Sequence, residues 1–212
     1  MTGRGSFITF EGGDGSGKST QIKLLEERLL NEGVNVVVTR EPGGTSISEK
    51  IREIILDPEN DEMVSTAEML LYAAARAQLV NELIIPSLAT GKVVICDRFL
   101  DSSIVYQGIA RGLGSSVRDI NAYATESLVP DLTVYIEVDP EVGLSRSKGG
   151  KDRIELQDIV FHRKVADRYK FLAEKSPGRI KTFNGEESIT EIKRKIWDVV
   201  AVSLAKKGYS VR

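Results

Sequence analysis

The chain has 212 residues, of which 41% are hydrophobic and 28% are charged, an ordinary globular balance that allows a full core. A formal net charge of −2 gives no electrostatic reason to expect nucleic acid or an anionic membrane as a partner. One cysteine excludes an internal disulfide, and one histidine argues against a zinc site. No apolar run approaches the roughly 18 residues of a membrane span, and Met1 to Gly5 lacks the apolar core of a signal peptide. We therefore expect a single domain over residues 1–212 that works in the cytoplasm, outside membranes and without nucleic acid.

The first predicted elements are a strand at residues 6–10 and a helix at residues 20–31, joined by a glycine-rich loop. The loop reads G-x-x-x-x-G-K-S, the P-loop pattern, in which backbone N–H groups and the helix N-terminus bind nucleotide phosphates. Lys18 would reach the β- and γ-phosphates, and the hydroxyl of Ser19 would ligate Mg²⁺. The residues expected around the phosphates of ATP are Gly12, Gly13, Asp14, Gly15, Ser16, Gly17, Lys18, Ser19 and Thr20. A glycine-rich turn that binds nothing is the alternative, and the two flanking elements argue against it.

The middle of the chain alternates between strand and helix patterns. The apolar run at residues 34–39 is typical of a parallel strand buried on both faces. A Pro-Gly-Gly loop at residues 40–45 precedes a helix with isoleucines at helical spacing. A long alanine-rich helix is predicted at residues 67–89, with Pro86 marking a kink or its last turn. The next strand is predicted at residues 93–96.

The second half continues this alternation. Further helices are predicted at residues 116–128, 154–175 and 189–205, and further strands at residues 132–138 and 180–183. A short helix is predicted to start at Pro140, and a small, polar and basic segment follows at residues 145–153. Strands that alternate with helices imply a five-stranded parallel sheet with helices on both faces, a three-layer α/β/α architecture.

The P-loop alone indicates only a protein that binds nucleotide phosphates. A GTPase would need an Asn-Lys-x-Asp segment and a transport ATPase would usually carry Leu-Ser-Gly-Gly, and neither segment occurs. The chain is short and has no added module, which favours a small kinase. Asp97 and Arg98 end a predicted strand, at the edge where open α/β sheets bind ligands. A structural ion pair at the strand end is the alternative for these two residues.

Beyond the P-loop, nine segments carry recognisable motifs. They are Phe10-Glu11-Gly12, Arg40-Glu41-Pro42-Gly43-Gly44-Thr45, Glu49-Lys50-Ile51-Arg52, Tyr72-Ala73-Ala74-Ala75-Arg76, Cys96-Asp97-Arg98-Phe99, Asp101-Ser102-Ser103, Tyr106-Gln107-Gly108, Pro130-Asp131-Leu132 and Asp152-Arg153-Ile154-Glu155. Together with the P-loop, they closely resemble the thymidylate kinase family over essentially the whole chain. The resemblance implies a P-loop NTPase fold with a small mobile lid, and transfer of the γ-phosphoryl group of ATP to dTMP in the presence of Mg²⁺. It also implies a homodimer formed through long helices.

The resemblance implies roles for the charged residues near the phosphates. Lys18 would hold the donor phosphates, and Arg98 would lie between donor and acceptor phosphates. Asp97 would help to position Mg²⁺, directly or through water, together with Ser19.

A further catalytic cation is expected from the basic segment at residues 145–153. Some members of the family carry a catalytic arginine at the P-loop position that Gly15 occupies here, so this chain needs another source of positive charge. The segment would fold over ATP as a lid. Its basic residues are Arg146 and Arg153, which match the family best, and Lys148 and Lys151, which match it less well. A solvated charged surface is the alternative for each of them.

The resemblance also implies which residues hold dTMP. They are Asp14, Glu41, Arg52, Tyr72, Arg76, Arg98, Ser103, Tyr106 and Gln107. Tyr72 and Arg76 are four residues apart on a predicted helix and therefore share a face. The tyrosine would stack on thymine and the arginine would bond a base carbonyl. A core aromatic beside a surface arginine is the alternative.

The remaining acceptor residues have polar or steric roles by the same resemblance. Ser103 and Gln107 would contact the base edge, and Tyr106 would lie against the deoxyribose, leaving no room for a 2′-hydroxyl. Asp14 would meet the sugar 3′-hydroxyl or its metal-bound phosphate, with a solvated loop acid as the alternative. Arg52 and Arg40 would be candidates for binding the acceptor phosphate, with Arg52 the better match, and Glu41 would anchor these arginines or the sugar.

Two other functions stay open from the sequence. One is a kinase with relaxed specificity for pyrimidine monophosphates or deoxynucleosides, and the other is a regulatory protein that binds nucleotides without turnover. The intact Lys18, Asp97 and Arg98 argue against the regulatory protein. His162 is interpreted as a surface residue of a helix and Cys96 as a core thiol.

Overall fold

The sheet consists of five parallel strands, which confirms the predicted fold class. A computed structural model describes residues 5–146 and 152–211, so that residues 147–151, the middle of the predicted lid, lie outside the described residues. The strands are β1 (Ser6–Glu11), β2 (Val36–Arg40), β3 (Val93–Asp97), β4 (Leu132–Glu137) and β5 (Ile180–Asn184). Their spatial order is β2-β3-β1-β4-β5, and each neighbouring pair is parallel. Parallel neighbours require crossover connections, which the helices supply.

Helices connect the strands. They are α1 (Lys18–Asn31), α2 (Ser46–Leu56), α3 (Ser65–Leu79), α4 (Ile85–Ala89), α5 (Leu100–Ser103), α6 (Ser116–Ala124), α7 (Pro140–Arg146), α8 (Ile159–Lys175) and α9 (Ile189–Ala205), with π-helical turns at Val80–Ile84 and Ile104–Ala110. The long helix predicted at residues 67–89 is therefore α3, a π-helical turn and α4 in succession. The π-helical turn precedes Pro86, whose ring lacks an N–H group and disturbs the regular helix before it. Within the described part of the chain, none of the helices combines the length and apolar character that crossing a bilayer requires.

Helix α6 ends at Ala124, four residues before its predicted end. Glu126 and Ser127 have φ angles of 50° and 59°, in the left-handed region, and a right-handed helix cannot continue through such residues. The predicted boundary was wrong because the residue types alone do not reveal this turn.

Helix α8 begins at Ile159, five residues after its predicted start. The carboxylate of Asp158 caps it by accepting a hydrogen bond from the backbone N–H of Phe161 at 2.7 Å. Residues 152–157 form turns instead, because the Asp152 carboxylate accepts the N–H groups of Ile154 and Glu155, both at 2.9 Å.

Alternate residues of the central strands face two different layers of helices. On one face, Ile8 and Phe10 of β1 belong to a buried cluster with residues of α1 and α9. On the other face, Phe7 packs with residues of α3 and α4. Further along that second face, Tyr169 of α8 stacks on Tyr135 of β4, with ring centroids 5.2 Å apart. The burial of these apolar side chains is the main stabilising contribution, and it fixes the three layers.

The carboxyl ends of β1, β2 and β3 lie side by side. In the sheet register, Asp97 of β3 is opposite both Phe10 of β1 and Arg40 of β2. The P-loop, which follows β1, is therefore next to the Asp97-Arg98 pair, as a site at this edge of the sheet requires.

Helix α7 is packed against the P-loop through two glycines. A Cβ atom on Gly143 would lie 2.5 Å from the backbone oxygen of Asp14, and one on Gly15 would lie 1.9 Å from the backbone oxygen of Gly143. Backbone atoms cannot yield as a flexible side chain would, so this contact requires glycine.

We expect Gly143→Ala to lower the free energy of unfolding by about 1–3 kcal/mol, because the added methyl group displaces the P-loop or α7. Urea or thermal denaturation measures the change. Gly178→Ala is the matched control, since a Cβ atom on Gly178 meets no heavy atom within 4 Å. Equal stability changes in the two variants would contradict the packing argument.

Candidate active site

The P-loop curls around the ammonium group of Lys18. Its turns need positive φ angles at Gly12 (145°), Gly15 (69°) and Gly17 (96°), a region that glycine adopts without strain. Lys18 Nζ donates hydrogen bonds to the backbone oxygens of Gly12 at 3.1 Å and Gly13 at 2.8 Å. Burial, assisted by the nearby charge of Arg98, lowers the pKa of Lys18 to about 8. The loop thus presents a cation and the N-terminus of α1 to the same place, an arrangement suited to phosphates.

The oxygens of Ser19 and Asp97 face each other across the loop. Ser19 Oγ lies 3.4 Å from Asp97 Oδ2, within reach of a hydrogen bond. Asp97 Oδ1 is buried, and among the described residues it has no hydrogen-bond partner. Hard oxygen ligands with unused capacity fit Mg²⁺, which takes one or two protein oxygens and completes its shell with phosphates and water. Among the side chains of residues 5–146 and 152–211, no cluster of three or more His, Cys, Asp or Glu could hold a metal ion by itself.

The guanidinium of Arg98 lies between the P-loop and the second π-helical turn. Nη1 donates to the backbone oxygen of Gly12 at 2.9 Å and lies 3.4 Å from the hydroxyl of Tyr106, while Nη2 pairs with Asp14 Oδ1 at 2.5 Å. Burial favours the neutral form of Asp14, but the charges of Arg98 and Lys18 outweigh it and lower the pKa of Asp14. The backbone φ angle of Arg98 is 69°, a strained value for a residue with a side chain.

Two cavities meet at Arg98. One, of about 750 Å³, runs along the P-loop, and the other, of about 180 Å³, lies between α3 and the second π-helical turn. The residues that line both are Asp14, Glu41, Arg52, Arg98 and Glu155. We call the first cavity the P-loop cavity and the second the small cavity. Two anionic ligands, one in each cavity, would face each other across fixed positive groups.

Most of the predicted site residues line these cavities. The P-loop cavity is lined by Asp14, Gly15, Ser16, Gly17, Lys18, Ser19, Thr20, Asp97, Arg98 and Arg146, and the small cavity by Asp14, Glu41, Arg52, Tyr72, Arg76, Arg98, Tyr106 and Gln107. Gly12 and Gly13 are not in the lining of either, although their backbone oxygens contact Lys18.

Besides Gly12 and Gly13, two predicted site residues lie outside both cavities, Ser103 and Arg153. Ser103 is 1% exposed and its hydroxyl accepts a hydrogen bond from Arg76 Nη1 at 2.9 Å, while its neighbour Ser102 lines the small cavity. Arg153 is buried, and its guanidinium donates to Glu68 Oε2 at 2.6 Å and to the backbone oxygen of Ile55 at 2.9 Å. In this structure neither residue is placed for its predicted contact.

Arg76 is buried, which corrects the alternative interpretation of a surface arginine. It is 1% exposed, and Nε donates to Glu41 Oε2 at 2.6 Å. Its two terminal nitrogens donate to Ser103, to the side chain of Asn121 and to the backbone oxygen of Phe99. A guanidinium held by several partners keeps one orientation at the wall of the small cavity.

One wall of the P-loop cavity, at the junction of β5 and α9, was not predicted from the sequence. The residues there are Gly185, Glu187, Ser188, Ile189 and Ile192. Arg146 Nη1 donates to the backbone oxygen of Gly185 at 2.8 Å, which connects this junction to α7. A glycine turn at the carboxyl end of a parallel strand was the signal that could have pointed to it.

Cys96 and His162 were predicted without functional roles. Cys96 is fully buried and its thiol donates to the backbone oxygen of Arg98 at 3.0 Å, which confirms a core position. His162 is 6% exposed, so the prediction of a surface position was wrong.

Glu11 organises the backbone that follows Arg98. Its Oε1 accepts the N–H groups of Phe99 at 2.9 Å and Ser102 at 3.3 Å. Its Oε2 accepts the hydroxyls of Ser102 at 2.6 Å and Tyr169 at 2.8 Å. Burial, with a smaller contribution from the charge of Asp101, raises the pKa of Glu11 to about 7.

These features define a class: an α/β phosphotransferase with a P-loop cavity for a donor nucleotide and a second cavity for an acceptor.

The model of the thymidylate kinase family matches residues 10–196. The chain is 50% identical over 210 residues to a thymidylate kinase of Caldanaerobacter subterraneus subsp. tengcongensis, covering 98% of this chain and 100% of that one. It is 48% identical over 199 residues to one of Thermoanaerobacter sp. strain X514, covering 93% and 98%. The crystal structure of the thymidylate kinase of Ehrlichia chaffeensis matches with a TM-score of 0.76 and 35% identity over 93% of this chain and 99% of that one. The chain belongs to the thymidylate kinase family.

We expect Glu11→Gln to change how stability depends on pH. In the unfolded chain Glu11 ionises near the usual 4.5, so between about pH 4.5 and 7 the folded chain binds more protons than the unfolded chain. Across that window, rising pH lowers the free energy of unfolding of the wild type relative to the variant, by up to about 1.4 kcal/mol per pH unit. Urea denaturation of both proteins from pH 5 to 8 measures this difference, which should level off above pH 7. A difference that does not vary with pH would refute the raised pKa.

Proposed function

We propose that this chain transfers the γ-phosphoryl group of ATP to dTMP, forming ADP and dTDP, as a step in the formation of dTTP. The observation that supports this proposal most strongly is that two cavities, lined by different sets of residues, meet at Arg98 and Asp14. Membership of the thymidylate kinase family supports the same activity.

The donor would lie in the P-loop cavity. Its phosphates would contact Lys18 and the loop amides, with Arg146 beside them, and its purine would extend towards the Gly185–Ile192 wall. Ser19 and Asp97 would hold Mg²⁺, which would neutralise phosphate charge during transfer.

The acceptor would lie in the small cavity. The base would stack on Tyr72 and meet Arg76 and Gln107, and Tyr106 would border the sugar. Arg52, whose Nη1 donates to the backbone oxygen of Pro42 at 2.8 Å, would contact the acceptor phosphate.

The chemistry needs positive charge and alignment more than a base. A phosphate monoester has a second pKa of about 6, so the acceptor oxygen is largely ionised at neutral pH. The remaining task is to hold two repelling anions in line and to stabilise charge on the transferred group. Lys18 and Arg98 occupy the positions from which they could do this, one in the loop and one between the cavities.

A comparison of acceptors tests the proposed function. ADP release by the purified chain with ATP and Mg²⁺ would be measured with dTMP, dUMP, dCMP, AMP, CMP and GMP. We expect the highest kcat/KM with dTMP. Preference for AMP, CMP or GMP would overturn the proposal, and nucleotide binding without turnover would favour a regulatory protein instead.

We expect Arg146→Ala and Arg153→Ala to have different effects. Arg146 lines the P-loop cavity, so its loss should lower kcat/KM for ATP by about tenfold or more. Arg153 is bonded to Glu68, so its loss should mainly lower the free energy of unfolding, by about 1–3 kcal/mol.

Steady-state kinetics and denaturation of both variants measure these effects. Arg163→Ala, which removes an exposed partner of Glu141, is the control. A lower kcat in Arg153→Ala at unchanged stability would support its predicted place in the lid.

We further propose a single-domain homodimer in the cytoplasm, with residues 145–153 as its lid. Exposed apolar side chains on the packed pair α2 and α3 support a contact between copies: Ile47, Ile54 and Leu70 are about half exposed. Ile47 and Ile54 are seven residues apart, hence on one face of α2. Light scattering that shows a monomer at micromolar concentration would contradict the homodimer.

A further inference from the structure

A buried carboxylate lies directly behind the small cavity. Glu68 is 1% exposed and lies on α3, four residues before Tyr72, so it shares the helix face that carries Tyr72 and Arg76. Its Oε1 accepts a hydrogen bond from Gln107 Nε2 at 2.9 Å. Gln107 lines the small cavity and Glu68 does not. Glu68 therefore reaches a ligand only through the side chain of Gln107.

Two arginines stabilise the charge of this carboxylate. Glu68 Oε2 accepts hydrogen bonds from Arg153 at 2.6 Å and from Arg111 at 3.2 Å. Burial alone would raise the pKa of Glu68, but the hydrogen bond from Gln107 and the charges of the arginines outweigh burial and lower it. An ionised carboxylate has no proton to donate, so Glu68 can only accept hydrogen bonds.

This restriction sets the direction of the Gln107 amide. A glutamine side chain has a donor end, Nε2, and an acceptor end, Oε1. Because Glu68 only accepts, Nε2 must face it, and the acceptor end is left for an occupant of the cavity. Among the described residues, Oε1 of Gln107 takes part in no hydrogen bond.

The base that suits such an acceptor is one with a proton on its ring nitrogen N3. Thymine and uracil carry that proton, whereas cytosine has a lone pair at N3 that would face Oε1 directly. A site built to bond a specific hydrogen rejects an analogue that lacks it, because its own polar group is then left unpaired.

We propose that Glu68 is a specificity-determining positioning residue, which holds the Gln107 amide so that its Oε1 accepts the N3–H of thymine and opposes cytosine. This inference rests on the proposed function, since it takes a pyrimidine monophosphate as the acceptor. Arg153 and Arg111 contribute by keeping Glu68 in place as an acceptor.

The substitution Glu68→Gln tests the proposal, because an amide of the same size can bond Gln107 in either orientation. Initial rates with ATP would be measured for dTMP, dUMP and dCMP. The preference for dTMP over dCMP, as a ratio of kcat/KM, should fall by about tenfold or more. The preference for dTMP over dUMP should not change, since both carry N3–H. A merely structural defect would lower all three rates and leave both ratios as they were.

Two further variants keep the test valid if Glu68→Gln folds poorly. Gln107→Met removes both ends of the amide and leaves Glu68 with its arginines, so the same loss of preference against dCMP is expected. The double variant Glu68→Gln/Gln107→Met should lose no more preference than Gln107→Met alone, because Glu68 and Gln107 act as a unit.

Asp101→Asn is the matched control. It also neutralises a buried carboxylate paired with an arginine, Arg179, but Asp101 does not line the small cavity. Both ratios should be unchanged in it.

The outcomes separate this inference from the proposed function. A wild type that prefers dTMP to dCMP, with the preference retained in Glu68→Gln or in Gln107→Met, would overturn the role of Glu68 alone. A wild type with no preference among these acceptors would overturn the proposed function together with the inference.

Discussion

The arrangement of the site depends on the position of one guanidinium, that of Arg98. It contacts the backbone of the P-loop, the carboxylate of Asp14 and the hydroxyl of Tyr106, and so it lies where the two cavities meet. Two phosphate groups repel each other strongly at short range, and a cation fixed between them removes much of that repulsion before they meet. The left-handed backbone of Arg98 is the conformational cost of that position.

Three buried glutamates hold side chains at the cavity wall: Glu41 is part of that wall, and Glu11 and Glu68 lie behind it. Glu11 accepts hydrogen bonds from Ser102, Glu41 from Arg76, and Glu68 from Gln107. The ionised carboxylate of Glu68 can be satisfied only by donors, and it therefore fixes which end of the Gln107 amide faces away from it. Taking such charges out of water is costly, and the raised pKa values of Glu11 and Glu41 express that cost. By bonding these side chains, the buried glutamates fix which donors and acceptors face the cavities.

The sequence was sufficient to predict the sheet, because its strands read as apolar runs and the helices between them have a clear period. The prediction that the run at residues 34–39 is buried on both faces was wrong, because β2 is an edge strand and Val38 is 38% exposed. The sequence was also sufficient for the P-loop, whose residues are contiguous in the chain. The predicted site side chains that lie outside the cavities, Ser103 and Arg153, are of another kind. Ser103 lies one residue from a position that lines the small cavity, and in a helical turn one residue rotates a side chain by about 100°. The direction of a helical turn relative to a cavity depends on tertiary packing, which a local motif does not record.

Arg153 illustrates a second limit. A basic residue in a glycine-rich segment reads as a solvated or ligand-binding cation, and the sequence does not show that Glu68, 85 positions away, is its partner. The β5–α9 wall was missed because its residues are of mixed type and become a cavity lining only through the order of the strands. Pairings across the sheet or between distant helices are set by the whole fold.

The position of Cys96 has a practical consequence. Its thiol is fully buried, and burial raises its pKa well above the usual value, so the reactive thiolate is scarce in the folded chain. Thiol reagents should therefore modify the chain only when the centre of the sheet opens, and their rate of reaction would report that opening without any added label. A cysteine introduced on the surface could likewise carry a fluorophore while the native one stays intact.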